Sequence, residues 1–429
     1  MDLDLSINDF IHYFNLSFFV LFALLYSYHL VYMLVAFKAK KTYKPLVEDV
    51  HLHKYAVIIA ARNEEVVIGQ LINSIKKQKY PKELIDIFVV ADNCSDKTAQ
   101  LARQAGAVVR ERFNKIQIGK GYALDFMIKV IEREYSANEY DAYLVFDADN
   151  LLSENYIAEM NKTFNKGYRI VTSYRNSKNF GQNWISAGYA LWFLHEAEFL
   201  NLPRMALNSS CAVSGTGFLV DAGLMKENGG WTYHLLTEDI EFSVAQILKG
   251  EKIGYCRDAI FFDEQPITFK QSWHQRMRWA KGFYQVFAKY GGKLISKFFL
   301  EKRNKLSYYD MAMTIMLIVV VTGFSILING LSYLAVLFGL IESIDIDTMT
   351  LQFLQSLGWS YGILFVTGLI TTITEWKKIH SPGWKKITYL ITFPIFMFTY
   401  IPISIVALFK DVEWKPIAHT VAKSIDEVR

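Results

Sequence analysis

The sequence predicts an α/β domain on a largely parallel, doubly wound sheet, held between membrane-spanning helices. Three observations carry this. Between residues 55 and 146, short apolar, β-rich runs alternate with stretches of helical spacing. Long apolar runs stand on both sides of that region. The 429 residues are 52% hydrophobic and 15% aromatic, with a mean hydropathy of +0.15, too apolar for a chain lying wholly in water.

The first apolar run, residues 13–37, follows Asp2, Asp4 and Asp9 and precedes Lys38, Lys40 and Lys41. A secretory signal has a basic start and a shorter apolar core, so an uncleaved span is expected, its C-terminal end in the cytosol. Residues 1–37 are thus expected to be an N-terminal transmembrane helix and 38–265 a cytosolic α/β domain. In that domain 55–60, 85–91, 107–110 and 143–146 read as strands, and 64–77, 97–104 and 122–133 as helices. Ligands of such sheets bind beyond the carboxyl ends of the strands. Residues 266–307 read as an amphipathic interface region, and 308–409 as about three spans, from apolar runs at 311–340, 354–374 and 387–409. The segment 342–347 carries no Lys or Arg, whereas Lys377, Lys378, Lys385 and Lys386 lie in the next connection, so the positive-inside rule keeps the catalytic region cytosolic. Parity then places the tail, 410–429, outside despite Lys410, Lys415, Lys423 and Arg429. Pro394 and Pro402 offer the alternative of an irregular or re-entrant last segment.

Lys+Arg of 46 against Asp+Glu of 42 leaves +4, which points to no nucleic-acid partner. Cys94, Cys211 and Cys256 form no close pair, so neither a zinc site nor a disulfide framework is expected, and a reducing compartment fits.

Chemistry concentrates in three signatures. Asp147-Ala148-Asp149 ends an apolar strand. Residues two apart on an extended chain point the same way, so both carboxylates can face one divalent cation; an ordinary polar turn is the alternative. Thr237-Glu238-Asp239 opens an amphipathic stretch, readable as a threonine-capped helix start with two acids at the positive end of the dipole or as a positioned general base. Gln275, Arg278 and Trp279 stand at i, i+3 and i+4, so a helix puts them on one face, where Arg278 can clamp a phosphate and Trp279 offers a flat surface to a sugar ring. Trp273, Met277, Ala280 and Tyr284 form another face, suited to lying on a membrane. Asp92, at a further strand end, can accept from a nucleobase or ribose; Ser95 or Asp96 reads as a cap for the next helix. Ser214–Phe218 is a glycine-rich turn that permits close approach of backbone.

Taken in order, Asp-Ala-Asp, Thr-Glu-Asp and Gln-Arg-Met-Arg-Trp resemble the Asp-x-Asp, Thr-Glu-Asp and Gln-x-x-Arg-Trp series of family-2 processive membrane glycosyltransferases, the group of cellulose, hyaluronan, chitooligosaccharide and poly-N-acetylglucosamine synthases. The resemblance covers about residues 55–285. It implies an α/β glycosyltransferase-A fold (Rossmann-like, with a mostly parallel sheet), a UDP-sugar donor, Mg²⁺ or Mn²⁺, and inversion at the anomeric carbon. It places Ala60, Arg62, Glu64, Asp92 and Lys120 along the nucleotide, Asp147 and Asp149 at diphosphate and metal, Asp239 as base within Thr237-Glu238-Asp239, and Gln275, Arg278 and Trp279 as the diphosphate and acceptor clamp. Many relatives carry two adjacent acids where this chain has Ala91-Asp92.

The expected function is transfer of glucose or N-acetylglucosamine from its UDP derivative to a growing extracellular polysaccharide, by an enzyme of the plasma (inner) membrane with a cytosolic catalytic domain. The alternative is a single transfer to a lipid acceptor: a polyprenyl phosphate, a lipid-linked sugar or a diacylglycerol. An alternative of another class is a non-catalytic scaffold or nucleotide sensor. The few spans leave room for an accessory subunit or a homo-oligomer.

Overall fold

The computed structural model describes residues 7–43, 50–339, 346–417 and 419–428. Eight strands form one sheet: β1 (Tyr55–Ala61), β2 (Ile85–Asp92), β3 (Val108–Arg112), β4 (Ala142–Asp147), β5 (Leu151–Leu152), β6 (Ile170–Ser177), β7 (Phe218–Asp221) and β8 (Ile253–Asp263). Their order is β3-β2-β1-β4-β7-β6-β8-β5. The four strands expected from the apolar runs are mutually parallel. Beyond β4 the sheet is mixed. β7 runs antiparallel to both β4 and β6, while β6 and β8 are parallel.

Period-two alternation explains why both faces of β1 are apolar. Ala56 and Ile58 point to one side, against Leu124, Met127 and Ile128 of the helix Lys120–Glu134. Val57 and Ile59 point to the other, against Ile68, Leu71 and Ile72 of the helix Ile68–Lys76. That second helix starts four residues later than the 64–77 expectation. Asn63 sits at φ 58°, and the Glu64 amide donates to Thr98 Oγ1 at 2.7 Å, so residues 64–67 form a turn instead. The register pairs Ala60 with Asp147 and Ala61 with Ala91, which brings the carboxyl ends of β1, β2 and β4 to one edge.

Among the described residues, three stretches are long and apolar enough to cross a membrane: Tyr13–Thr42, Thr350–Thr374 and Gly383–Phe409. The first is two helices, Ile7–Tyr26 and Tyr28–Thr42, and its helical structure continues past the expected end at Phe37. It does so because Lys40 is engaged: its ammonium lies 2.9 Å from Glu198 and also pairs with Glu375. Arg257 donates to Glu198 at 2.9 and 3.0 Å, Lys378 approaches both carboxylates, and Tyr174 donates to Glu375 at 2.6 Å. Residues 342–345 of the acidic connection lie outside the described residues.

The third stretch breaks at Thr399 into the helices Gly383–Phe398 and Tyr400–Phe409. It touches the sheet domain along its whole length. Lys385 donates to the Gly181 carbonyl at 2.6 Å. A Cβ on Gly188 would meet the Phe396 ring at 2.3 Å. Arg276 donates to Thr399 Oγ1 at 2.7 Å, and Tyr284 to the Ser404 carbonyl at 3.0 Å. The parity argument treated this stretch as one crossing; its contacts return the tail to the catalytic side. Likewise, the Met277/Ala280 face expected to lie on lipid packs instead on Ile403 and Ala407.

Glu198 contacts three cations, Lys40, Arg257 and Lys378, and shares two of them with Glu375 at the junction between the apolar helices and the sheet. Glu198→Ala should lower stability by about 3 kcal/mol, the low end for breaking a buried ion pair, because Lys378 keeps 32% of its side chain in water. A thermal scan of the solubilised protein reads the loss; an unchanged midpoint would show that the cluster does not hold the junction.

Candidate active site

The carboxyl-end edge of the sheet supplies the first wall of the site. Asp92 ends β2, and the buried Arg112 of β3 donates to its Oδ1 at 2.5 Å. Asp147 ends β4, and its amide donates to Thr216 Oγ1 at 2.8 Å. Lys120, the first residue of its helix, pairs with the Asp147 carboxylate and donates to the Gly215 carbonyl at 2.7 Å. Gly215, at φ 78°, belongs to the glycine-rich turn, which thus forms part of the site. Asp149 is buried, and its Oδ2 accepts from the Glu264 amide at 2.7 Å. Burial pushes its carboxyl up, but His419, Lys178 and that amide outweigh burial and hold it below the usual range.

The second wall is the start of the helix Glu238–Lys249. Burial and the neighbouring Asp239 push the Glu238 carboxyl up to about 7. Burial raises Asp239 as well, against the opposing pull of the Ile240 amide, Lys120 and Arg278. Thr237 does not cap this helix, contrary to one sequence expectation. Its Oγ1 is buried without a partner, and its side chain faces Gly282 of the passing helix, where a Cβ would lie 2.5 Å away. Glu241 does the local bonding, its Oε2 accepting from the His234 and Leu235 amides at 3.0 Å each.

The third wall is the helix Phe269–Leu300, 32 residues and about 48 Å long. Arg278 donates to the Leu236 carbonyl at 2.7 Å, which anchors it beside the acids. Trp279 stands edge-on to Tyr189, ring centroids 5.7 Å apart at 88°. Arg276, two residues before Arg278, is fully buried and turns away, to the Phe396 carbonyl and Thr399 at the helix break.

Ala60, Arg62, Glu64, Asp92, Lys120, Asp147, Asp149, Thr237, Glu238, Asp239, Gln275, Arg278 and Trp279 all lie on the wall of one cavity of about 720 Å³. Arg62 Nη1, Thr237 Oγ1 and Gln275 Oε1 are buried there with no hydrogen-bond partner, the state of groups that await a polar ligand. Among the described residues no three His, Cys, Asp or Glu side chains converge into a complete metal cage. Asp147 and Asp149 nonetheless suit a cation of the Mg²⁺ or Mn²⁺ type, which takes one or two carboxylates and completes its shell with substrate phosphates and water. Each carboxylate has spare acceptor capacity beyond the bonds named above.

Several wall residues are not among those sequence reasoning singled out. Arg175 donates to Asp263 at 2.6 Å and lies 3.5 Å from the Phe193 ring centroid. Glu196, at the start of a π-helical stretch, faces the cavity with Ser214 at 3.5 Å, its carboxyl raised by burial. The tail contributes Trp414, 5.1 Å from the Arg62 guanidinium, and His419, whose Nδ1 lies 2.8 Å from Glu64. Burial pulls His419 down, but Asp149 and Glu64 outweigh it and take the imidazole up to about 10. The Thr420 and Val421 amides donate to Glu264 at 2.9 and 3.0 Å. No motif marked these tail residues, and the parity argument had set them on the far side of the membrane.

Comparison with known proteins agrees with this geometry. The chain is 26% identical over 282 residues to the probable glycosyltransferase YdaM of Bacillus subtilis, covering 60% of each chain. It is 27% identical over 247 residues to the beta-monoglucosyldiacylglycerol synthase of Trichormus variabilis, covering 55% of this chain and 50% of the relative. It is 24% identical over 268 residues to the poly-beta-1,6-N-acetyl-D-glucosamine synthase of Staphylococcus aureus, covering 61% and 60%. The chain thus spans about half to three-fifths of the length of these curated relatives. Its fold matches the mannosyltransferase PcManGT of Pyrobaculum calidifontis, solved with GDP-Man and Mn²⁺, at a TM-score of 0.57 and 15% identity over 91% of this chain and 98% of that one. Residues 53–282, more than half of the chain, match the family model described as glycosyltransferase like family 2, and the chain is a member of that glycosyltransferase family with a glycosyltransferase-A-like fold.

Proposed function

We propose that this glycosyltransferase moves a sugar, glucose or N-acetylglucosamine, from a UDP donor to a hydroxyl presented at the membrane, by a single displacement that inverts the anomeric carbon. One observation carries the reading: an adjacent acid pair with raised proton affinity, the buried Glu238 and the half-buried Asp239, shares a cavity with the strand-end carboxylates and with two cationic side chains, Lys120 and Arg278.

Each group has a task in that reaction. Arg62 and Asp92 flank the nucleoside, and the free Arg62 Nη1 supplies a donor to it. Lys120 and Arg278 compensate charge that develops on the departing diphosphate. Asp147 and Asp149 would hold a divalent cation, which when bound adds Lewis-acid stabilisation of the same oxygens. Asp239 takes the proton from the attacking hydroxyl, and its raised affinity suits a base working near neutral pH. Glu238 keeps that affinity high by sharing the pair's charge. Trp279 and Gln275 offer the acceptor a ring face and an unpaired amide oxygen.

We place the catalytic domain on the cytosolic face of the plasma (inner) membrane; the basic residues after the first apolar run and between the later ones support the cytosolic side. The polymer-building and lipid-glycosylating readings share all this chemistry and differ in what carries the hydroxyl.

Asp239→Asn should retain UDP affinity and lose transfer by about 10²–10⁴-fold, the usual worth of general-base help. Titration with UDP and a radiolabelled transfer assay read the two separately, and wild-type transfer by the variant would reduce Asp239 to a helix-start residue. The base works deprotonated, so the rate falls as pH drops through its pKa. With the Asp239 carboxyl raised by burial, the acid limb of the kcat profile should lie above the ~3.9 of an ordinary Asp. A limb near that ordinary value would contradict the assignment. Turnover should also vanish in chelator and return with Mn²⁺ or Mg²⁺, and Asp149→Ala should weaken the response to added metal; full activity in chelator would remove the metal from the mechanism.

A further inference from the structure

The cavity does not end at the acids. It runs on past Trp279 into an arm walled by Ile315, Leu364, Phe398, Ile401, Ile405 and Leu408, side chains of the apolar helices. Ile401, Ile405 and Leu408 lie at i, i+4 and i+7 on the helix Tyr400–Phe409, and they face the cavity. The other side of that helix, Ile403 and Ala407, is buried on Met277 and Ala280. Ile401 is 39% and Ile405 37% exposed. Their helix belongs to the stretch Gly383–Phe409, long and apolar enough to cross a membrane, so the arm is built from side chains suited to lipid.

Apolar side chains dominate this arm, whose polar ones are Thr314, Ser360, Tyr400 and Ser404. Thr314 donates to the Asp310 carbonyl and Ser360 to the Ser356 carbonyl, each within its own helix, at 2.8 and 2.9 Å. A sugar chain threaded here would find few partners for its many hydroxyls, and those left desolvated and unpaired are costly. A hydrocarbon chain would trade water for apolar surface, which is favourable.

We infer that the acceptor is a membrane lipid with a free hydroxyl on its head group, whose apolar chain lies in this arm while the hydroxyl reaches Asp239. This rests on the glycosyl-transfer reading above. The lipid oxygen forms a bond to the anomeric carbon as the bond from that carbon to the diphosphate oxygen breaks. The electron pair leaves with UDP, and the hydroxyl proton passes to Asp239. The shared chemistry is a long apolar chain ending in a hydroxyl, as in a diacylglycerol or a lipid-linked sugar.

The test uses the full chain in phospholipid nanodiscs with radiolabelled UDP-glucose or UDP-N-acetylglucosamine. Three acceptors are offered in parallel: dioleoylglycerol, a lipid-linked monosaccharide, and water-soluble gluco- or chito-oligosaccharides. The expected product is solvent-extractable and gains one or a few sugars, and the first two arms tell which lipid source is used. Leu364→Trp and Ile405→Trp, which fill the arm, should cut transfer to the long-chain acceptor by about tenfold or more. Their UDP affinity shows that they are folded. A water-soluble ladder from the oligosaccharide arm, or undiminished transfer to the long-chain lipid by folded Trp variants, overturns the lipid assignment. If a Trp variant does not fold, the partition of the wild-type product alone decides. No UDP release with any acceptor would instead sink the glycosyl-transfer reading beneath it.

Discussion

The buried carboxylates Glu198 and Glu375 are the constraint on which the architecture turns. They sit where the N-terminal apolar helix, β6, β8 and the end of the helix Ile346–Thr374 meet, and Lys40, Arg257 and Lys378 converge on them. An uncompensated charge at that depth is costly, so the cations must arrive together. Their arrival fixes the apolar helices on the sheet domain in one orientation. The cavity exists because of that docking: its floor is the strand-end edge of the sheet, and its far arm is built from the helices so held.

Inside the cavity a similar logic works on a smaller scale. Glu238, buried, and Asp239, half-buried, are adjacent and mutually repulsive, and they stay together because Lys120 and Arg278 lie close enough to offset them. Lys120 is held in turn by Asp147 and the Gly215 carbonyl, and Arg278 by the Leu236 carbonyl. The polar groups are thus positioned before any ligand arrives, which is what electrostatic catalysis requires. The close pass of the helix Phe269–Leu300 over Thr237 needs a residue without a side chain at Gly282.

Much of this was legible in the sequence, for identifiable reasons. β1, β2 and β4 are largely apolar runs, and β2 and β4 end in Asp92 and Asp147, whereas β3, Val-Val-Arg-Glu-Arg, is legible only through its place in the alternation. The spacing of Gln275, Arg278 and Trp279 makes sense only on a helix. The antiparallel β7 was not legible, since four residues between a glycine turn and a short helix carry no period to read. Nor were Arg112, Arg175 and Glu196, ordinary residues until the fold brings partners 20, 88 and 18 positions away into reach. The side of the tail stayed open in the sequence for a different reason. Counting crossings assumes that every long apolar stretch crosses, and the stretch Gly383–Phe409, broken at Thr399 and bound to the sheet domain throughout, carries Trp414 and His419 back to the donor end of the cavity.

The central claim is that one cavity carries out a direct displacement, with Asp239 opposite the leaving diphosphate. The stereochemistry of the product tests this most directly. With an α-linked UDP-sugar as donor, the anomeric proton of the isolated product, read by NMR, should show a β linkage. An α linkage would require a second displacement or a front-face path, and would contradict the account.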